Sequence, residues 1–119
     1  MIRLSRAVVA TLTITLLGCG SAEPPALVRG LEGVGGDAAL TTFQKRLDAT
    51  FPDSTPETAM VYRLREQGFT VGPTLGCESS RCAEWRKWDG VGGQSWIVAW
   101  SVDKAGAVKR VQASGMLLN

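Results

Sequence analysis

The sequence predicts an α+β domain: two N-terminal helices packed on a three- or four-stranded antiparallel meander. Three observations predict it. Apolar residues recur twice with a helical period between residues 37 and 67, the period changes to two from Phe69 onward, and the turn-forming Asp103-Lys104-Ala105-Gly106 separates two alternating segments. The helices would cover one face of the sheet.

The first helix is placed at about residues 38 to 50, where Leu40, Phe43 and Leu47 fall at i, i+3 and i+7. Asp37 is its expected N-cap, and Phe51-Pro52 ends it because a residue before proline avoids the α region. Ser54-Thr55-Pro56-Glu57 reads as the second start, with a hydroxyl cap, a proline in the first turn and an acid at the positive end. That helix runs to about Gln67, with Met60, Val61 and Leu64 on one face. Gly68 suits the left-handed position just past the end, and Phe69 the apolar contact after it.

Phe69 to Leu75 is a possible first strand, confined to an edge or an entry loop by Gly72-Pro73. Arg81 to Trp88 reads as a second strand. Ser95 to Val102 is the clearest, with Trp96, Val98, Trp100 and Val102 on one face and Ile97, Ala99 and Ser101 on the other. Ala107 to Ala113 returns after the turn as the last strand.

Ahead of this domain lies an address. Arg3 and Arg6 form a short basic region, and Ala7 to Leu17 follow as an apolar run whose only polar members are threonines. As a helix that run reaches roughly 16 Å, about half of a bilayer's hydrocarbon thickness, so a signal peptide is favoured over a membrane span. It ends in Leu16-Leu17-Gly18-Cys19, which resembles the lipobox of bacterial lipoprotein precursors. Leu17, where a smaller residue is commoner, is the one departure. The resemblance implies that Cys19 receives a diacylglyceryl thioether, that the chain is cut before it, and that the new amino group is acylated. The alternative is an ordinary secretory signal in which Cys19 is a bystander. At ~0.8 kcal/mol per buried CH₂, three acyl chains would make detachment negligible. Gly20 stands where an Asp would signal inner-membrane retention in the enteric pathway, so the resemblance further implies the cell outer membrane.

Residues 19–36 then form the lipidated cysteine and a Gly/Pro-rich flexible tether, and residues 37–119 the folded domain. Leu27, Val28 and Leu31 could instead dock on the domain, a point the sequence leaves open. The GVGG stretches at 33–36 and 90–93 lack the Lys-Ser/Thr and the strand-to-helix setting of a phosphate loop, and read as hinge or hairpin.

Composition narrows the chemistry. The chain of 119 residues has no histidine, which excludes Ser-His-Asp and Cys-His pairs, histidine-ligated zinc and a histidine pH switch. Without Arg3 and Arg6 the thirteen basic residues become eleven, against eleven acidic ones. A mature chain with no basic stripe is not expected to bind nucleic acid.

With Cys19 taken by lipid, Cys77 and Cys82 remain, and in an oxidising compartment they read as a structural disulfide rather than as free thiols or a redox pair. A zinc site would need two more soft ligands, so no metal is expected. Trp85, Trp88, Trp96 and Trp100 crowd into sixteen residues. Trp96 and Trp100 alternate with Val98 and Val102 as core residues do, whereas Trp85 and Trp88 have opposite strand parity and charged neighbours. One of these two is the candidate partner-binding residue. Glu78, Glu84 and Asp89 are the carboxylates near this cluster. A glycosidase needs two acids across a cleft, and these sit beside Arg81, Arg86 and Lys87, so no enzyme and no cofactor are expected.

The order lipobox, Gly/Pro tether, two helices and Trp-rich meander resembles the small two-helix, three-strand lipoproteins of Gram-negative envelopes, the class that includes the BamE-like accessory of the β-barrel assembly machinery. The resemblance is one of architecture. It implies an outer-membrane-anchored, periplasm-facing lipoprotein with a non-catalytic domain that binds another envelope protein. The alternative is a lysozyme or hydrolase inhibitor, or a glycan-binding module.

Overall fold

The computed structural model describes residues 24–31, 36–88 and 92–118. Two helices and a four-stranded antiparallel sheet make an α+β architecture. In chain order these are α1 (Asp37–Thr50), α2 (Glu57–Glu66), β1 (Thr70–Val71), β2 (Cys82–Trp88), β3 (Gly93–Val102) and β4 (Val108–Leu118). The strands lie in sequence order as a meander.

The helices are not the first packed element. Residues 24–31 precede them, folded in tight turns through Val28 N–H to Pro25 O at 3.0 Å and Leu31 N–H to Val28 O at 2.9 Å. Leu27, Val28 and Leu31 are buried in the same core as the helices. Arg46 of α1 donates to the carbonyls of Ala26, Leu27 and Arg29, and Leu27 N–H donates to Gln67 Oε1. The flexible tether expected over 19–36 is therefore interrupted by a docked segment. Its physical reason is the trio of apolar side chains, whose burial outweighs the freedom of a Gly/Pro-rich chain.

The helix ends differ from their sequence reading in instructive ways. Gly36, in the left-handed region at φ 82°, is the N-cap of α1, and Asp37 lies inside the first turn without capping an amide. At α2 the residue before the helix is Pro56, and neither Ser54 nor Thr55 caps it. Tertiary structure has taken over that task. Glu57 N–H donates to Gly106 O at 3.0 Å, while Ser54 and Thr55 exchange hydrogen bonds with Val108, so the β3–β4 hairpin supplies the acceptor a hydroxyl would have given. Thr55 Oγ1 turns back to Pro52 O instead. The other end follows expectation. Gly68 at φ 92° directs its N–H to Arg65 O and Phe69 N–H reaches Leu64 O, the paired bonds of a Schellman motif with a buried phenylalanine behind them.

Register sorts the sheet into two faces. Ala83 pairs with Val98 and Trp85 with Trp96, and these share a face with Val111 and Ala113. Phe43, Leu47, Met60 and Leu64 of the helices pack there, and the Phe43 ring meets Trp96 edge-on at 5.4 Å. The opposite face carries Cys82, Glu84, Arg86 and Trp88 of β2 with Ser95 and Ile97 of β3. Part of it is covered as well. The loop 72–81 folds back over it, held by the Cys77–Cys82 disulfide, and Gly76 sits so close to Ile97 and Met116 that a Cβ there would crowd both. Burial of Ser95 and Ile97 follows.

The edges are treated unequally. β1 is reduced to two residues and stops at Gly72-Pro73, as an edge containing proline should. β4 runs to Leu118, well past the expected Ala113, with a register shift opposite Ser101 and Val102. At its middle Gln44 of α1 acts as a strand substitute: its Nε2 donates to Val111 O and its Oε1 accepts from Ala113 N–H, both at 2.8 Å.

Candidate functional site

The residues singled out in the sequence divide between the two faces of the sheet: Cys82, Glu84 and Trp88 on the far face, and Trp85, Trp96 and Trp100 on the face that meets the helices. The Cys77–Cys82 disulfide is formed, with Cα atoms 6.3 Å apart. It closes the loop at the point where β2 begins, and Cys82 is fully buried beneath it. Cross-linking so short a loop constrains the unfolded chain by about 2 kcal/mol.

Of the two candidate contact tryptophans, Trp88 is the exposed one. It keeps 55% of its surface in water at the last residue of β2, paired with Gly93. A Cβ on Gly93 would collide with the Lys87 carbonyl, so the second GVGG stretch has a hairpin role at its end, while residues 89–91 lie outside the described residues. Trp85 points to the other face, half-buried against the core beside Gly68. Trp96 and Trp100 are 4% and 7% exposed, as core residues. The four indoles thus form no common stacking platform. Two are interior, one packs beside Gly68 just past the end of α2, and one meets solvent.

The carboxylates nearby are tied down. Burial pushes the Glu84 carboxyl upward, but the Ser95 hydroxyl and the Arg86 guanidinium help to outweigh it, and the group lies below the ordinary carboxylate value. Ser95 Oγ donates to Glu84 Oε2, and Arg86 makes a forked pair with both oxygens at 3.0 to 3.2 Å. Such an acid is fixed as an anion, the opposite of the raised acid that protonates a leaving group. Glu78 is exposed, and Asp89 lies outside the described residues.

A second network was legible in the sequence only as a helix-dipole contact. Glu57, in the first turn of α2, accepts from Arg81 Nε at 2.6 Å and from the Trp100 indole N–H at 2.8 Å. These two hydrogen bonds, opposed by burial and aided by the Arg81 charge, lower its pKa. The signal that would have found it is the buried tryptophan itself, which needs an acceptor for its N–H. The pair ties α2, the disulfide loop and β3 together, and its role is structural.

Among the described residues no group of three or more Cys, Asp or Glu could hold a metal ion, and no helix is long and apolar enough to cross a membrane. Cys19 and the whole signal-like segment lie outside the described residues. No protein-family model matches the chain, and comparison with curated proteins and with solved structures gives no match.

Proposed function

We propose that the chain is a lipid-anchored envelope lipoprotein, attached through Cys19 and facing the periplasm from the outer membrane, whose α+β domain binds another envelope protein without catalysing a reaction. The observation that carries this is the placement of Leu16-Leu17-Gly18-Cys19 directly after an apolar run too short to span a bilayer. The likeness to BamE-like envelope lipoproteins supports it through order of elements. The buried disulfide suits an oxidising compartment. Trp88 is the contact residue of this reading, since an indole that is half in water at a strand end offers a large apolar area at low entropic expense.

The test has two arms. Labelled palmitate should enter the chain and fail to enter Cys19→Ser; incorporation in neither, with a freely diffusing product, overturns the anchor. Crosslinking in intact cells should capture a defined membrane protein and lose it in Trp88→Ala. A saturable tryptophan-fluorescence shift with peptidoglycan fragments or lysozyme, in place of such a partner, favours an inhibitor or glycan-binding module.

A further inference from the structure

The outer edge of β4 is protected along only half of its length. Gln44 occupies Val111 O and Ala113 N–H, which therefore point away from β3, and Lys109 and Arg110 charge the start of the strand. Backbone direction alternates along a strand, so the N–H and C=O of Gly115 and Leu117 point outward too. Among the described residues nothing pairs with them. This stretch, Ala113 to Leu118, carries no charge and no proline, the devices that normally blunt an edge.

Beside this open edge α1 leaves room. A cavity of about 220 Å³ is walled by Leu40, Trp96, Gly115 and Leu117, and a shallower hollow of about 400 Å³ continues along the seam past Gln44 to Lys45, with Asp37 and Leu40 common to both. The first is larger than the ~150 Å³ that suffices to hold a benzene ring. It is also chemically unfinished. Among the described residues the Trp96 indole N–H and the Gln94 side-chain carbonyl, on residues two apart on one face of β3, are buried without hydrogen-bond partners. One needs an acceptor and the other a donor, which a phenolic hydroxyl combines.

We propose that the seam between α1 and the Gly115–Leu117 edge receives an extended peptide strand of a partner protein, antiparallel to β4, with an aromatic hydroxyl-bearing side chain in the cavity. Only another backbone matches alternating outward N–H and C=O groups, and the helix-flanked edge is the setting in which strand addition works. Charge fixes the direction. Asp37 and Lys45 lie eight residues apart on α1, about 12 Å. Residues i and i+4 of a strand, which share a face, are about 13.5 Å apart. An antiparallel peptide thus presents a basic residue to Asp37, an aromatic one opposite Gly115, and an acidic one toward Lys45. Gly115 brings no side chain of its own into the cavity it lines, where even a Cβ would press on the Ser95 carbonyl at 3.0 Å. This deepens the protein-binding reading above and rests on it, while placing the contact away from Trp88.

The probe is the acetylated and amidated pentapeptide Lys-Thr-Tyr-Thr-Glu, added at millimolar concentration to the isotope-labelled full chain in detergent. Expected are amide shifts at Gly115 and Leu117 and a downfield move of the Trp96 indole proton, with the Trp88 indole still. The reversed peptide Glu-Thr-Tyr-Thr-Lys should bind about threefold more weakly, the effect of exposed ion pairs, and Asp37→Lys should invert that order. Leu117→Pro removes an outward N–H without touching the ladder to β3, and should weaken binding at least tenfold. Absence of shifts at Gly115 and Leu117, equal binding of both peptides to the parent chain, or full binding by Leu117→Pro overturns the proposal. So does movement of the same resonances on raising protein concentration alone, which would give the edge to a second copy. Palmitate labelling and the Trp88→Ala capture report on the broader reading independently, so either can fail while the other stands.

Discussion

Glu57→Gln isolates one charge at the junction of α2, the disulfide loop and β3. The variant keeps the size of the side chain and an oxygen that can still accept from the Trp100 indole, so the loss is the charge and not the contact. Arg81 is 43% exposed, and its pairing with Glu57 is worth less than ~1 kcal/mol. The bond from the buried Trp100 indole is different: bonds to a charged acceptor are worth ~1.5–3 kcal/mol and neutral ones about half as much. Losing that difference and the favourable placement at a helix N-terminus comes to about 1.5 kcal/mol in all. In a domain of this size each kcal/mol moves Tm by roughly 4–8 °C, so Glu57→Gln should melt about 6–12 °C below the parent at pH 7. The sign with pH follows from the lowered pKa. The group's contribution is present above the unfolded-state value and is lost as pH falls through the folded-state value, so the gap should narrow as pH drops below the ordinary carboxylate range and close once Glu57 is protonated in both states. Circular dichroism melts of both proteins across that range measure it. A gap that stays constant down to pH 2, or none at pH 7, refutes the assignment of the charge to stability.

Three further outcomes are expected. Gln44→Ala should strip Val111 O and Ala113 N–H of their partner, lowering stability by about 1–2 kcal/mol in urea melts and abolishing slow hydrogen exchange at Ala113. Gly93→Ala forces a Cβ against the Lys87 carbonyl and should cost about 1–3 kcal/mol, seen as a lowered denaturant midpoint at unchanged slope. Arg46→Ala should release the 24–31 segment, read as faster exchange of the Val28 and Leu31 amides while those of Trp96 and Val98 are unchanged.

What could be read from residues alone divides along a physical line. Local signals held: apolar spacing located both helices, Gly68 and Phe69 marked the end of α2, and alternation put Trp96 and Trp100 inside. Where a tertiary group replaced a local one, the reading failed. The hydroxyls at Ser54 and Thr55 looked like a cap because nothing in sequence shows Gly106 arriving to do that work. Nothing in the helical spacing of α1 marks Gln44, because its strand partner is almost seventy positions away. The cover over Ile97 comes from a loop without periodicity. Even so, the unbroken apolar run Trp96 to Trp100 is the pattern of a strand buried on both faces, and it carried that information. Which of Trp85 and Trp88 meets water was beyond composition, since it turns on which face the helices take.

The unequal fates of the four indoles have a practical corollary. Ionic quenchers such as iodide reach only rings that touch solvent, so they should extinguish chiefly the emission of Trp88 and spare that of Trp96 and Trp100. The molecule therefore carries an intrinsic lamp at the tip of its β2–β3 hairpin, against a background of shielded ones. Occlusion of that tip by anything from a lipid headgroup layer to a folded surface can be followed by light alone, with no label attached.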